Sequence, residues 1–205
     1  MMKLRFMLAL VLVAIATAAF ALPHSDAQKS ASQSDTQKSF DAMKSLAGNW
    51  QGPVTVSPPQ PDMQGNTLMH ISMRVTSRGN ALIHEMQEAG TPLDPAKYDH
   101  PVTVFYLDSE HLTLVHYCDA GNRPRMIARP SPDGKKIEFD FVDLSGGNAY
   151  GHMYHAVFTI VDANHHLEDW TYMMPGDKPV HAHFDLHRTS EGFTAAIGPF
   201  QPTVQ

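Results

Sequence analysis

From Trp50 to Arg188 the chain is a succession of short alternating or β-branched and aromatic runs, each ended by a turn of hairpin length. No other feature constrains the fold as much. Met69, Ile71, Met73 and Val75 alternate with His70, Ser72 and Arg74, the period of two expected of a strand with one buried face. SRGN at 77–80 leads into ALIHEMQE, and Asp108-Ser109-Glu110-His111 joins VTVFYL to LTLVHYC. Ser131-Pro132-Asp133-Gly134 joins RPRMIARP to KKIEFDFV; Asp162-Ala163-Asn164-His165 joins HMYHAVFTIV to HLEDWTYMM; PGDKP precedes VHAHFDLHR. Consecutive strands joined so tightly must pair antiparallel with their neighbours. A sheet of this length either leaves exposed edges or closes on itself. The expectation is an all-β fold: an up-and-down antiparallel meander closed into a barrel of about ten strands.

Ahead of the strands, FDAMKSLAGNW carries Phe40, Met43 and Leu46 at the spacing of one helical face, and Gly48 follows as a stop. A short N-terminal helix is expected there. Residues 22–39 form a Ser/Gln/Asp/Lys tract with the near repeat SDAQKS and SDTQKS. They contain almost nothing apolar to bury, and they read as a disordered tether. The chain begins with Lys3 and Arg5, an apolar run from Phe6 to Ala18, and Ala19-Phe20-Ala21. That is the pattern of a secretory signal peptide, residues 1–21, too short to span a bilayer. The implied destination is periplasmic or secreted, with no stable membrane insertion after cleavage. The expected domains are therefore the signal peptide, the tether, a barrel over 40–188 and an irregular tail over 189–205.

Cleavage after Ala21 would remove two cations and no acid, taking the formal charge from −6 to −8. A mildly acidic chain without a block of Lys or Arg argues against nucleic acid as a partner. Cys118 is the only cysteine, so no disulfide can staple the chain internally, and the fold must hold by its core.

Gly48, Asn49 and Trp50, with Arg188 ending the last strand, resemble the signature of the calycins: lipocalins, fatty-acid-binding proteins and their relatives. The resemblance covers about residues 40–188 and implies that Trp50 plugs one end of the barrel while Arg188 packs across it. Gly48-x-Trp50-x-Gly52 is also similar to the opening of the nitrobindin-type haem barrels, although Val54 stands where that motif has a third glycine. HYC-x-x-GN-x-PRM is similar to stretches in uncharacterised exported bacterial proteins with lipocalin-like barrels. The function these likenesses imply is binding of a small apolar or amphiphilic molecule.

Several residue groups are candidates for chemistry. With Asp119–Asn122 as a four-residue loop, Cys118 would face Arg123 and His116 would face Arg125. Turned inward, His116, Arg123 and Arg125, with Tyr117 nearby, would form a polar cavity end suited to an anionic amphiphile, because a guanidinium fork grips both oxygens of a carboxylate. Turned outward, they are a solvated hairpin end. The alternation is mixed on both faces, so both readings stay open, and a one-residue slip exchanges them. Trp170 and Tyr172 share a face with Met174 and Glu168, either as packed core or as cavity lining. His181, His183 and His187 share a face of the last strand with Asp185, and His155 could join them. His-x-His on a strand is a workable metal pair, which leaves a haem- or metal-binding barrel through His181, His183 or His155 as an alternative. An apolar opposite face (Ala182, Phe184, Leu186) would instead turn these histidines outward. A third reading is an enzyme with His116 or His155 as general base. Cys118 reads as a small buried hydrophobe. Neither a catalytic residue nor a required cofactor is assigned from the sequence.

Overall fold

The structure, a computed structural model, describes residues 34–60, 67–130 and 134–190. The expected signal peptide, the tether up to residue 33 and the tail from 191 lie outside the described residues. A helix α1 (Asp35–Ser45) precedes ten strands: β1 (Gly48–Ser57), β2 (Thr67–Thr76), β3 (Ala81–Glu88), β4 (Val102–Asp108), β5 (His111–Tyr117), β6 (Arg123–Pro130), β7 (Lys136–Ser145), β8 (His152–Asp162), β9 (His165–Met174) and β10 (Lys178–Thr189). Each strand pairs antiparallel with its sequence neighbour, and β10 pairs with β1 to close the barrel. Closure leaves no edge strand to protect.

The helix begins earlier than the composition of the tether suggests. Ser34 caps it by accepting a hydrogen bond from the Gln37 N–H, and Asp35 sits in the first turn, where the helix dipole favours an acid. Residues 35–39 are thus helix rather than tether. They are held by Ser39, which is buried, and by Thr36, whose hydroxyl donates to the Glu110 carbonyl in the β4–β5 turn. Phe40, Met43 and Leu46 are buried as the helix lies against β4, β5 and β6 and shuts one end of the barrel.

The two glycines flanking Trp50 have separate steric reasons. Gly48 has φ +140°, and a Cβ there would overlap Arg188 Nη1. A Cβ on Gly52 would overlap the Asp185 carbonyl oxygen, because β1 and β10 approach closely at that point. The space kept open lets Arg188 reach across. Its guanidinium lies over the Trp50 ring, 4.1 Å from the centroid, and donates to the carbonyls of Ala47 (2.9 Å) and Ala163 (2.9 Å). Trp50 is fully buried and donates its indole N–H to the Leu46 carbonyl (2.7 Å), which ties the helix end to the barrel. Trp50 and Arg188 are also directly opposite in the β1–β10 register.

Above this closed end the interior is apolar and aromatic. Phe105, Phe139 and Phe158 meet with ring centroids 5.4–6.0 Å apart, and Ile71, Leu82, Leu112, Leu114, Met126 and Ile137 complete the layer. The register fixes which face looks in. Leu82 pairs with Phe105, Phe105 with Leu114, and Leu114 with Met126.

Candidate functional site

The first candidate, the β5–β6 hairpin, has a wider loop than four residues. β5 ends at Tyr117 and β6 starts at Arg123, so five residues, Cys118–Asn122, connect them. Gly121 has φ +71° and its N–H returns to the Cys118 carbonyl. The extra residue slips the pairing by one. Val115, not His116, stands opposite Arg125, and Leu114 stands opposite Met126. This corrects the expected His116–Arg125 juxtaposition: His116 faces the interior while both arginines face the outside. Arg125 is ion-paired with Asp143, its partner across β6–β7, and Arg123 donates to the Ser145 hydroxyl at 3.2 Å. Tyr117 is exposed on the outer wall. Asn122 anchors the loop by donating to the carbonyls of Gly147 (3.0 Å) and Gly151 (2.7 Å). Burial pushes the Cys118 thiol pKa up, so it stays protonated and is a poor nucleophile.

His116 is fully buried, with Nδ1 2.8 Å from the Thr103 hydroxyl. Burial, and secondarily the nearby His84, drive its pKa down to about 3. At neutral pH the ring is therefore uncharged, so it is not an anchor for an anion.

Beside it lies a polar cluster that the sequence reading did not single out. Glu168 is fully buried on β9. His84 Nε2 lies 3.1 Å from each of its oxygens, His166 Nε2 lies 2.9 Å from Oε1, and the Trp170 indole N–H donates to Oε2 at 2.9 Å. Burial alone would raise the Glu168 pKa. The attraction of His84 and the hydrogen bonds from His166 and His84 outweigh it and hold the carboxyl below the ordinary range. The sequence carried a signal for this: Glu168 shares an otherwise aromatic strand face with Trp170, and His84 shares a face of β3 with Leu82 and Met86. What alternation could not supply was the convergence of β3 and β9 across the barrel.

The Trp170 ring is the floor of a cavity of about 530 Å³ at the end opposite Trp50. Its walls are apolar: Met69, Met86, Met153, Phe184, Val56 and Ala182. Its rim carries Glu88, Asp99, Lys97 and Tyr98, with Tyr172 between wall and rim. Tyr172 donates to the Tyr150 carbonyl (2.9 Å). Desolvation, then the charges of Cys118, Asp119 and Asp99, push its pKa up to about 12, so it remains a donor. Asp99 is also raised, first by desolvation and then by Asp119. Of the sequence candidates, Trp170 and Tyr172 meet at this cavity; His116 lies behind Trp170, with ring centroids 5.6 Å apart; Arg123, Arg125 and Tyr117 do not reach it.

The histidines considered as metal or haem ligands lie on the outer wall, opposite in facing to Ala182 and Phe184. His183 Nδ1 is 2.6 Å from Asp169, His181 Nδ1 is 3.1 Å from the Thr171 hydroxyl, and His155 Nδ1 is 3.3 Å from Asp140. None of the three lines the cavity described above, and among the described residues none belongs to a group of three closely spaced metal-ligating side chains. As a general base serving the cavity, His155 is on the wrong side of the wall.

No family model matches the chain, and neither does any curated protein. Among solved structures the chain is similar to Rv2717c from M. tuberculosis, with a TM-score of 0.53 and 14% identity over 74% of this chain and 97% of that one. The likeness is one of fold. A protein of unknown function from the DUF3598 family of Nostoc punctiforme matches with a TM-score of 0.49 and 7% identity. That match covers 72% of this chain and 48% of the other, about half its length.

Proposed function

We propose that this protein is a calycin-like binding barrel, exported from the cytoplasm, that holds a small and largely apolar neutral molecule in the cavity above Trp170. The cavity itself carries the reading. At about 530 Å³ it falls within the roughly 300–1,000 Å³ of small-molecule sites, and its walls are methionine and aromatic side chains. Methionine adapts to irregular shapes, and a flat ligand can stack on Trp170. The expected preference for an anionic amphiphile loses its motive, since Arg123 and Arg125 are outside and the rim carries two carboxylates, Glu88 and Asp99, beside one cation, Lys97, which is ion-paired with Asp94. Export rests on the signal-peptide pattern of residues 1–21.

The test is a fluorescence titration with neutral N-phenyl-1-naphthylamine and, separately, a fluorescent fatty acid. The neutral probe should bind more tightly. Ala182→Phe, which fills the cavity, should weaken binding at least about tenfold, or 1.4 kcal/mol, while Arg125→Ala should change nothing. Binding that survives Ala182→Phe, or that vanishes with Arg125→Ala, would place the ligand elsewhere.

A further inference from the structure

We propose that His165, Asp185 and His187 form a binding site for a borderline divalent transition-metal ion, such as Zn²⁺, on the outer wall near the closed end. The site is independent of the cavity. His187 and His165 are directly opposite in the β9–β10 register, and Asp185 lies two residues before His187 on the same face. All three donor atoms lie within 4.8 Å of one another. Asp185 Oδ1 is 2.8 Å from His165 Nε2 and 3.4 Å from His187 Nε2. Tetrahedral zinc with bonds of about 2.0–2.1 Å sets neighbouring donors roughly 3.3 Å apart, so small side-chain rotations suffice to admit an ion.

Two further features separate this group from the other histidines on the same wall. The rings of His165 and His187 stack, with centroids 4.3 Å apart and planes 18° from parallel. The stack brings a nitrogen of each ring and the Asp185 carboxylate together on one patch of the wall. His183–Asp169 and His181–Thr171, by contrast, belong to no group of three close ligating side chains among the described residues. The backbone is also held in place. Asn164 accepts a hydrogen bond from the Arg188 N–H (2.9 Å), and its own N–H binds the Asp162 side chain (2.7 Å), so the turn before His165 is fixed against the end of β10. Two imidazole nitrogens and one carboxylate oxygen suit Zn²⁺, Co²⁺, Ni²⁺ or Cu²⁺ and not Mg²⁺ or Ca²⁺. With three protein ligands and His187 exposed, the fourth position faces solvent.

The experiment is calorimetric titration of the metal-stripped full chain with ZnCl₂, paired with visible absorption on adding CoCl₂. The expected result is one ion per chain with a dissociation constant in the micromolar range or tighter, and Co²⁺ bands of low coordination number. His187→Ala and Asp185→Asn should each weaken binding at least tenfold; both residues are partly or largely exposed, so folding should survive. His181→Ala combined with His183→Ala should leave the affinity unchanged. Binding only in the millimolar range, several equivalent ions per chain, no binding at all, or a Kd indifferent to His187→Ala would each overturn the assignment. The group would then be an ordinary His–Asp–His hydrogen-bond cluster.

Discussion

Trp50 holds its place through three contacts: the Leu46 carbonyl, the Arg188 guanidinium and the packed edge of His166, with ring centroids 4.2 Å apart. Truncating it to alanine should cost about 3–5 kcal/mol, as for other large core residues. Arg188→Ala should also destabilise, because it leaves the carbonyls of Ala47 and Ala163 without their donor and uncovers the indole. The double variant, measured by urea denaturation, should cost less than the sum by about 0.5–2 kcal/mol, the scale of a cation–π contact. Strict additivity would contradict the contact. At this scale the sequence was legible where one residue has one steric job. Gly48, Trp50 and Arg188 could be picked out together only through their resemblance to the calycin signature, since an aromatic residue on a strand is ordinary by itself. Glu168 could not be assigned its role, because its partner His84 lies 84 residues away and only the barrel brings them together.

Among the elements, the helix and the β5–β6 hairpin show where pattern stops short. Composition placed residues 35–39 in a tether, yet a cap at Ser34 and a single hydrogen bond from Thr36 are enough to extend the helix over polar residues. Deleting residues 22–39 should therefore lower the melting temperature by several degrees, since the first turn, the Ser39 packing and the Thr36–Glu110 bond go together. An unchanged melting temperature would mean that the helix contributes only from Phe40 onward. The hairpin teaches the complementary lesson. The existence and pairing of β5 and β6 follow from their turn residues, but whether the loop has four residues or five is a local detail. That detail decides whether Arg125 faces the interior or Asp143. Strand number and order survive such a slip; the assignment of side chains to a cavity does not.

Across the whole molecule, a chain of contacts runs from the closed end to the cavity: Arg188 over Trp50, Trp50 against His166, His166 to Glu168, and Glu168 to Trp170. Its buried titratable groups make the barrel acid-sensitive. His116 has a folded pKa of about 3 against about 6.5 when unfolded, so below pH 6.5 the unfolded chain takes up a proton that the folded chain refuses. Stability should fall by about 1.4 kcal/mol per pH unit from this group alone, or roughly 2 kcal/mol between pH 6.5 and 5. Glu168, lowered in the folded state, adds a loss of the same sign below about pH 4.5. Urea denaturation at pH 6.5 and 5 should show the first loss, and His116→Gln should reduce it. An equal slope in that variant would assign the acid sensitivity to other groups. The central claim, that the cavity above Trp170 is the binding site, has a direct reporter because the chain contains two tryptophans, Trp50 beside Arg188 at the closed end and Trp170 at the cavity. In a two-dimensional ¹H–¹⁵N spectrum their indole signals, assigned with Trp170→Phe, can be followed as N-phenyl-1-naphthylamine is added. The Trp170 signal should move and saturate while that of Trp50 stays in place. A titration that moves only the Trp50 signal, or neither, would contradict it.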